Sequence, residues 1–133
     1  MLAHSDAMTA SRRFPLLAAG LLGLTGVALG AFGAHGLKVT LTATGGLENW
    51  KTAVLYQLVH AVALLALSSR SDPEVGRVSL WWTLGVGLFS GSLYLIALGA
   101  PAKFLWPVTP AGGLALLIGW AILSWSAIRQ PKL

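Results

Sequence analysis

The sequence predicts an all-α integral membrane protein, a bundle of four helices that cross the bilayer. Nearly all of the 133-residue chain falls in four apolar runs, residues 15–34, 53–69, 78–100 and 108–127. Each has about the 20 residues that a helix needs to cross a hydrocarbon core of about 30 Å. None contains Asp, Glu, Lys or Arg. Because backbone polar groups in lipid must be satisfied within their own segment, such runs form helices.

The composition agrees with this class and excludes several others. Hydrophobic residues make up 56% of the chain and charged residues 10%, whereas charged residues are about 25% of a soluble domain. The nine Lys and Arg residues flank the apolar runs, so the expected partner is the lipid bilayer and not nucleic acid. With no cysteine, the chain has neither a disulfide nor a thiolate metal ligand.

The tails and their charges predict the orientation. Residues 1–14 and 128–133 are predicted to be cytoplasmic tails, the first of them disordered. Arg12-Arg13 before an apolar run resembles the start of a signal peptide, but the run is longer than the roughly 7–15 hydrophobic residues of such peptides, so we expect it to be retained as a span. Both tails and the turn at 70–77 share one side, which carries six of the nine cations. Both termini are therefore predicted to be cytoplasmic.

The gap between spans one and two, residues 35–52, is long and partly apolar. Leu37 and Leu41 recur at helical spacing before a Gly-Gly pair. We predict a short interfacial helix, then a turn, with Trp50 anchoring span two at the membrane surface. An irregular surface loop is the alternative.

Spans three and four carry their own boundary signals. Trp81 and Trp82 near the start of span three, and Trp125 near the end of span four, are predicted at headgroup depth. Thr109 is predicted to be the N-cap of span four, with Pro110 at the first helical position, where no amide partner is lost.

Small residues recur every fourth position on three spans and predict close helix packing. The predicted packing residues are Gly26, Gly30 and Ala34 on span one, Gly87 and Gly91 on span three, and Ala115 and Gly119 on span four. Three such stripes in one short chain favour a compact bundle. Whether a stripe also serves a homodimer stays open.

Polar residues within the spans are the candidate functional residues, since each needs a partner or a purpose in lipid. They are Tyr56, Gln57 and His60 on span two, which share one helical face, and Ser90, Ser92 and Tyr94 on span three. One interpretation is a proton relay or polar pocket around His60, whose imidazole titrates near neutral pH. The favoured interpretation is interhelical hydrogen bonding, worth about 0.6 kcal/mol per bond, because no intramembrane charge accompanies His60.

Neither a cofactor nor catalysis is expected. His35 lies at the end of span one, whereas His60 lies about eight residues inside span two, about 12 Å deeper. Two ligands of one metal ion could not bridge that difference without distortion. The four acidic residues lie outside the spans, and no nucleophile is evident beside a base.

Four motifs, in order along the chain, resemble the YgdD-like family of small membrane proteins. They are Gly30-Ala31-Phe32-Gly33-Ala34-His35-Gly36-Leu37, Tyr56-Gln57 with His60, Phe89-Ser90-Gly91-Ser92-Leu93-Tyr94, and Thr109-Pro110 with Gly112-Gly113 and Gly119-Trp120. The resemblance extends from Leu16 to Ala127. It implies a four-helix protein of the bacterial cytoplasmic membrane and brings no established activity.

The resemblance also implies which residues the family shares. They are His35, Tyr56, Gln57, His60, Ser90, Ser92, Tyr94, Thr109 and Trp120. Members often carry a charged residue directly before the Tyr-Gln pair, where this chain has Leu55. A mechanism that needs a charge at that point is therefore not expected.

The predicted role is that of a small multi-pass protein that acts through packing, as an accessory or assembly component of a larger membrane complex or as a homo-oligomer. The alternative is a transporter or channel for a small solute or protons, lined by the polar residues of spans two and three. Four short spans enclose only a narrow path, so this alternative also requires oligomerisation. An enzyme is not expected.

Overall fold

The computed structural model describes residues 2–129, with side chains from residue 13 onward. Six helices follow one another in this part of the chain: α1 Leu2–Ala34, α2 Lys38–Ala43, α3 Leu47–Ser68, α4 Val75–Ala97, α5 Ala102–Leu105 and α6 Val108–Arg129. Four segments are long and apolar enough to span a membrane: Arg13–Ala34, Leu47–Ser68, Val75–Ala97 and Ala102–Arg129. The predicted all-α fold with four spans is confirmed.

The two ends of the chain differ from the predicted tails. Residues 2–14, predicted to be disordered, form the first turns of α1 and continue directly into the span. No Gly or Pro interrupts this segment and Ala recurs in it, and both features favour helix. At the other end α6 continues to Arg129, and residues 130–133 of the predicted tail lie outside the described residues.

The spans pack in chain order. α1 packs on α3, α3 on α4, and α4 on α6, with a smaller contact between α1 and α4. The connections are short, so consecutive spans are antiparallel. Residues buried within the protein make up 33% and 39% of the most apolar stretches of α3 and α4, but 22% of those of the first and last spans. α3 and α4 are therefore the central pair, with α1 and α6 on its flanks.

One tryptophan that was predicted at the membrane surface lies well inside the bundle. Trp82 is 1% exposed, packs against Gly119 of α6, and its ring lies 4.6 Å from that of Trp120. The prediction is wrong because α4 begins at Val75, two full turns before Trp82, which places this residue well inside the helix. Trp50 is also buried by the protein, at 4% exposed, but it lies in the first turn of α3, so its position near the membrane surface stays a prediction.

Most of the predicted small-residue contacts on α1 and α6 lie at helix interfaces. Gly26 and Gly30 face side chains of α3. Ala115 and Gly119 are buried on the side of α6 that faces α4. Ala34, the last member of the α1 stripe, is exposed instead.

The stripe predicted on α4 does not pack within the chain. A side-chain carbon added at Gly87 or Gly91 would meet no atom within 4 Å. The close contacts between α4 and α6 occur at Gly85, which faces a leucine of α6, and at Gly112, which faces the backbone of Phe89. Four-residue spacing identifies a helix face but not the neighbour it meets, and Gly85 points to nearly the opposite side of α4 from Gly87.

The predicted short helix between spans one and two is present as α2, and this segment contacts α4, the third span. Leu41 is fully buried in a cluster with Trp50 and Ala97. The Thr44 hydroxyl, at the end of α2, donates a hydrogen bond of 2.7 Å to the carbonyl of Ala97. The segment is therefore part of the packed bundle.

The start of α6 corrects the predicted N-cap. The helix begins at Val108, one residue before Thr109, and the Thr109 hydroxyl lies 2.7 Å from that of Ser92 on α4. Pro110 is consequently the third helical residue, which is tolerated because amides in the first turn have no helical partner. The short α5 that precedes this start was not predicted.

We expect Gly112→Ala to destabilise the bundle by about 1–3 kcal/mol, because the added carbon overlaps the backbone of α4. That backbone cannot shift locally without moving the helix. Gly20→Ala on α1 is the matched control, since nothing lies within 4 Å of its added carbon. The free energy of unfolding in detergent micelles measures both. Equal losses for the two variants would contradict the packing described for α4 and α6.

Candidate functional site

The polar side chains around Gln57 and His60 form two separate hydrogen-bonded sets. One is centred on Gln57 and reaches α1 and α4, whereas the other is centred on His60 and reaches α6. The sequence predicts one shared helical face for Gln57 and His60. The structure divides them because they differ by about 60° around α3, and α1 and α6 flank the central pair on different sides.

The Gln57 amide uses both of its ends and connects three helices. Its Nε2 donates to the Thr25 hydroxyl at 2.8 Å and to the carbonyl of Leu22 at 3.0 Å, both on α1. Its Oε1 accepts a hydrogen bond of 2.8 Å from the Tyr94 hydroxyl on α4. The side chain is only 4% exposed, so these bonds satisfy an amide that would be costly to bury alone.

Trp50 and Tyr94 extend this set towards the end of the bundle that carries α2. The Trp50 indole donates to the carbonyl of Leu29 on α1 at 3.0 Å. Its ring meets that of Tyr94 edge-on, with ring centres 4.7 Å apart. Tyr94 is therefore held by a ring contact and by its bond to Gln57, and both fix its orientation.

His60 has both ring nitrogens occupied. Nδ1 lies 2.8 Å from the carbonyl of Tyr56, and Nε2 lies 3.1 Å from the indole nitrogen of Trp120. A carbonyl only accepts and an indole only donates, so this pairing requires a neutral ring that carries its hydrogen on Nδ1. Neither nitrogen is free to bind a metal or take up a proton while the two bonds are intact.

The two serines connect α4 to its neighbours. Ser90 donates to the carbonyl of Ala53 on α3 at 2.8 Å. Ser92 shares a hydrogen bond of 2.7 Å with Thr109 on α6. Both predicted site residues thus bind other helices, as the interpretation of interhelical bonding expects.

Some polar atoms have no partner among the described residues. The indole nitrogen of Trp82 and the hydroxyl of Thr83 are buried without one. Tyr56 is 40% exposed and packs its ring against Phe89, with ring centres 4.5 Å apart. His35 lies in the turn after α1 with an exposed side chain, and it joins neither set.

Sequence reasoning missed two members of the Gln57 set. Thr25 interrupts an otherwise apolar span, which was a usable signal, because a hydroxyl in lipid needs a partner. Trp50 carries no such signal, since a tryptophan near the end of a span is typical of the interfacial belt. No group of three metal-binding side chains occurs in the part of the chain that the structure describes.

Comparisons with known proteins give a consistent match. Residues 29–113 match a family model described as a protein of unknown function, DUF423. The UPF0382 inner membrane protein YgdD of Escherichia coli K12 is 43% identical over 130 residues, covering 90% of this chain and 93% of that protein. A UPF0382 membrane protein of Haemophilus influenzae is 42% identical over 117 residues, covering 85% and 92%. No solved structure matches.

We expect Gln57→Leu to lower the free energy of unfolding by about 1–2 kcal/mol, since it removes bonds to two helices. Tyr94→Phe should cost less, because it removes one bond and keeps the ring contact. The measurement is equilibrium unfolding in mixed micelles.

The double variant, which combines Gln57→Leu with Tyr94→Phe, tests the bond between these two side chains. Because each single change already breaks the bond between Gln57 and Tyr94, the loss in the double variant should be smaller than the sum of the single losses. Strict additivity would show that the two side chains are not coupled.

Proposed function

Since the chain belongs to the DUF423 family of unknown function, its role must be inferred from its own geometry, and we propose that it acts by packing within the membrane. It would serve as an accessory or assembly component of a larger complex, or as a homo-oligomer. The observation that carries the proposal is that three buried polar side chains at mid-membrane, those of Gln57, His60 and Ser90, are each hydrogen-bonded to another helix of the bundle.

The outer face of α4 is the surface that we assign to this packing. It carries Leu80, Leu84, Gly87, Gly91, Leu95 and Leu98 along the whole helix. The two glycines leave a shallow groove between the leucine pairs, and a second helix could approach the backbone there closely.

Transport of a small solute or protons has less support. A path needs polar groups that line one continuous route, but Gln57 bonds towards α1, His60 towards α6 and Ser90 towards the backbone of α3. These bonds would have to break for water or a solute to pass. Packing requires no such rearrangement.

We further propose that the protein lies in the bacterial inner membrane with both termini in the cytoplasm. The segments at the end of the bundle with α2 and α5 carry three lysines, Lys38, Lys51 and Lys103, whereas the sequence has six cations in the tails and the turn of the other end. This excess favours the cytoplasm for the more basic end.

Cysteine labelling tests the orientation, since the natural chain has no cysteine. We expect Thr40→Cys on α2 to react with a membrane-impermeant maleimide in intact cells. Ser69→Cys, at the opposite end, should react only after the membrane is permeabilised. The reverse pattern would contradict the proposed orientation.

Crosslinking in native membranes tests the packing role. We expect Leu84→Cys to form an adduct, either a dimer of twice the mass or a complex with one co-purifying protein. Leu24→Cys on the exposed face of α1 should form none. Gly87→Ile should abolish the adduct by filling the groove, whereas Gly20→Ile on α1 should not. A Leu84→Cys protein that stays monomeric would refute the role assigned to this face.

A further inference from the structure

We propose that a crevice between α3, α4 and α6 binds a lipid-soluble molecule whose flat ring carries a carbonyl oxygen, the chemical class of the quinones. The crevice has a volume of about 570 Å³, within the roughly 300–1,000 Å³ of ligand pockets. Its walls include Tyr56, His60, Phe89, Gly113, Leu117 and Trp120. This inference goes beyond the packing role.

The depth of the crevice separates it from the aromatic belts. Tyr56 lies near the middle of α3 and Trp120 near the middle of α6. Their side chains are 40% and 41% exposed. Tyrosine and tryptophan in membrane proteins are usually enriched at the interfaces, where their polar ends reach water and headgroups. A half-exposed pair at mid-membrane faces hydrocarbon and gains nothing from that environment.

The Tyr56 hydroxyl supplies the specific polar group. It has no hydrogen-bond partner within residues 13–129, and the bilayer core offers no acceptor. A hydroxyl that is removed from water without a partner costs free energy. An acceptor brought by a bound molecule would remove that cost. An acyl chain could fill the same volume but could not provide the acceptor.

The other groups of the crevice define the rest of the ligand. The Trp120 indole and both nitrogens of His60 are already bonded, so the wall offers one free donor. No charged side chain of the described residues lines the crevice, which favours a neutral ligand. The rings of Tyr56, Phe89 and Trp120 supply flat apolar surfaces, and aromatic faces stack on planar rings.

The crevice and the packing face lie on different sides of α4. Phe89 lines the crevice, whereas Gly87 and Gly91 lie two residues away on either side, which puts them on nearly the opposite side of the helix. A partner seated on the glycines would therefore leave the crevice open. The two proposals can fail independently.

A pair of matched probes tests the proposal on the full chain in phosphatidylcholine nanodiscs. Decylubiquinone carries ring carbonyls, and decylbenzene has a ring and the same alkyl chain without oxygen. The amount of each probe retained above that of empty discs is measured against its concentration. We expect saturable binding of both, with the quinone bound more tightly.

Three variants complete the test. Tyr56→Phe should weaken quinone binding by about three- to ten-fold and leave decylbenzene unchanged, because it removes one hydroxyl and keeps the ring. Gly113→Leu should block both probes, since an added carbon there lies 3.7 Å from the Phe89 ring and a longer side chain would project into the crevice. Leu24→Phe on the outer face of α1 is the control and should change neither.

Two results would overturn the proposal. One is quinone retention that rises linearly with concentration, as partitioning into lipid does. The other is equal quinone affinity in the natural chain and in Tyr56→Phe, which would mean that the crevice takes apolar chains without recognising an acceptor. Should Gly113→Leu fail to fold, the comparison of the two probes on Tyr56→Phe still decides.

Discussion

The amide of Gln57 is the interaction on which the arrangement of the spans depends. α1 and α4 touch only weakly, yet both hydrogen-bond to this one side chain on α3. Lipid removes the hydrophobic drive that brings helices together in water, so packing and interhelical hydrogen bonds must supply the attraction. An amide with both ends occupied sets the rotation of all three helices about their axes. The ring contact of Trp50 and the glycine contacts of α1 then follow from that rotation.

The run lengths were sufficient to predict the class and the number of spans, and the spacing of Leu37 and Leu41 predicted the short helix before the second span. Hydropathy reports which segment lies in lipid, because that depends on composition alone. It does not report how each helix is rotated, and the errors follow from this. Gly87 and Gly85 are equally small, but only Gly85 faces α6. Tryptophan is a residue type that is common at membrane interfaces, but the side chain of Trp82 is buried in the core.

The candidate site shows the same division between residue choice and geometry. Polarity in an apolar span identified Gln57, His60, Ser90, Ser92 and Tyr94, and each makes an interhelical or backbone hydrogen bond. The partners of these residues could not be predicted, because a carbonyl such as that of Leu22 or Ala53 carries no sequence signal. The separation of Gln57 from His60 also needed coordinates, since their different directions around α3 matter only when the neighbouring helices are known.

The bond between Thr44 and the carbonyl of Ala97 joins a segment of the chain that is synthesised early to one that is synthesised later. Synthesis from the N-terminus delivers α1, α2 and α3 to the bilayer before α4. That first hairpin already holds Thr44 at its end and the unused oxygen of Gln57 at its middle. The third span, α4, then brings the carbonyl of Ala97, which accepts a hydrogen bond from Thr44. It also brings the Tyr94 hydroxyl, which donates to Gln57. The early half of the chain thus acts as a template that sets the depth and rotation of the later half.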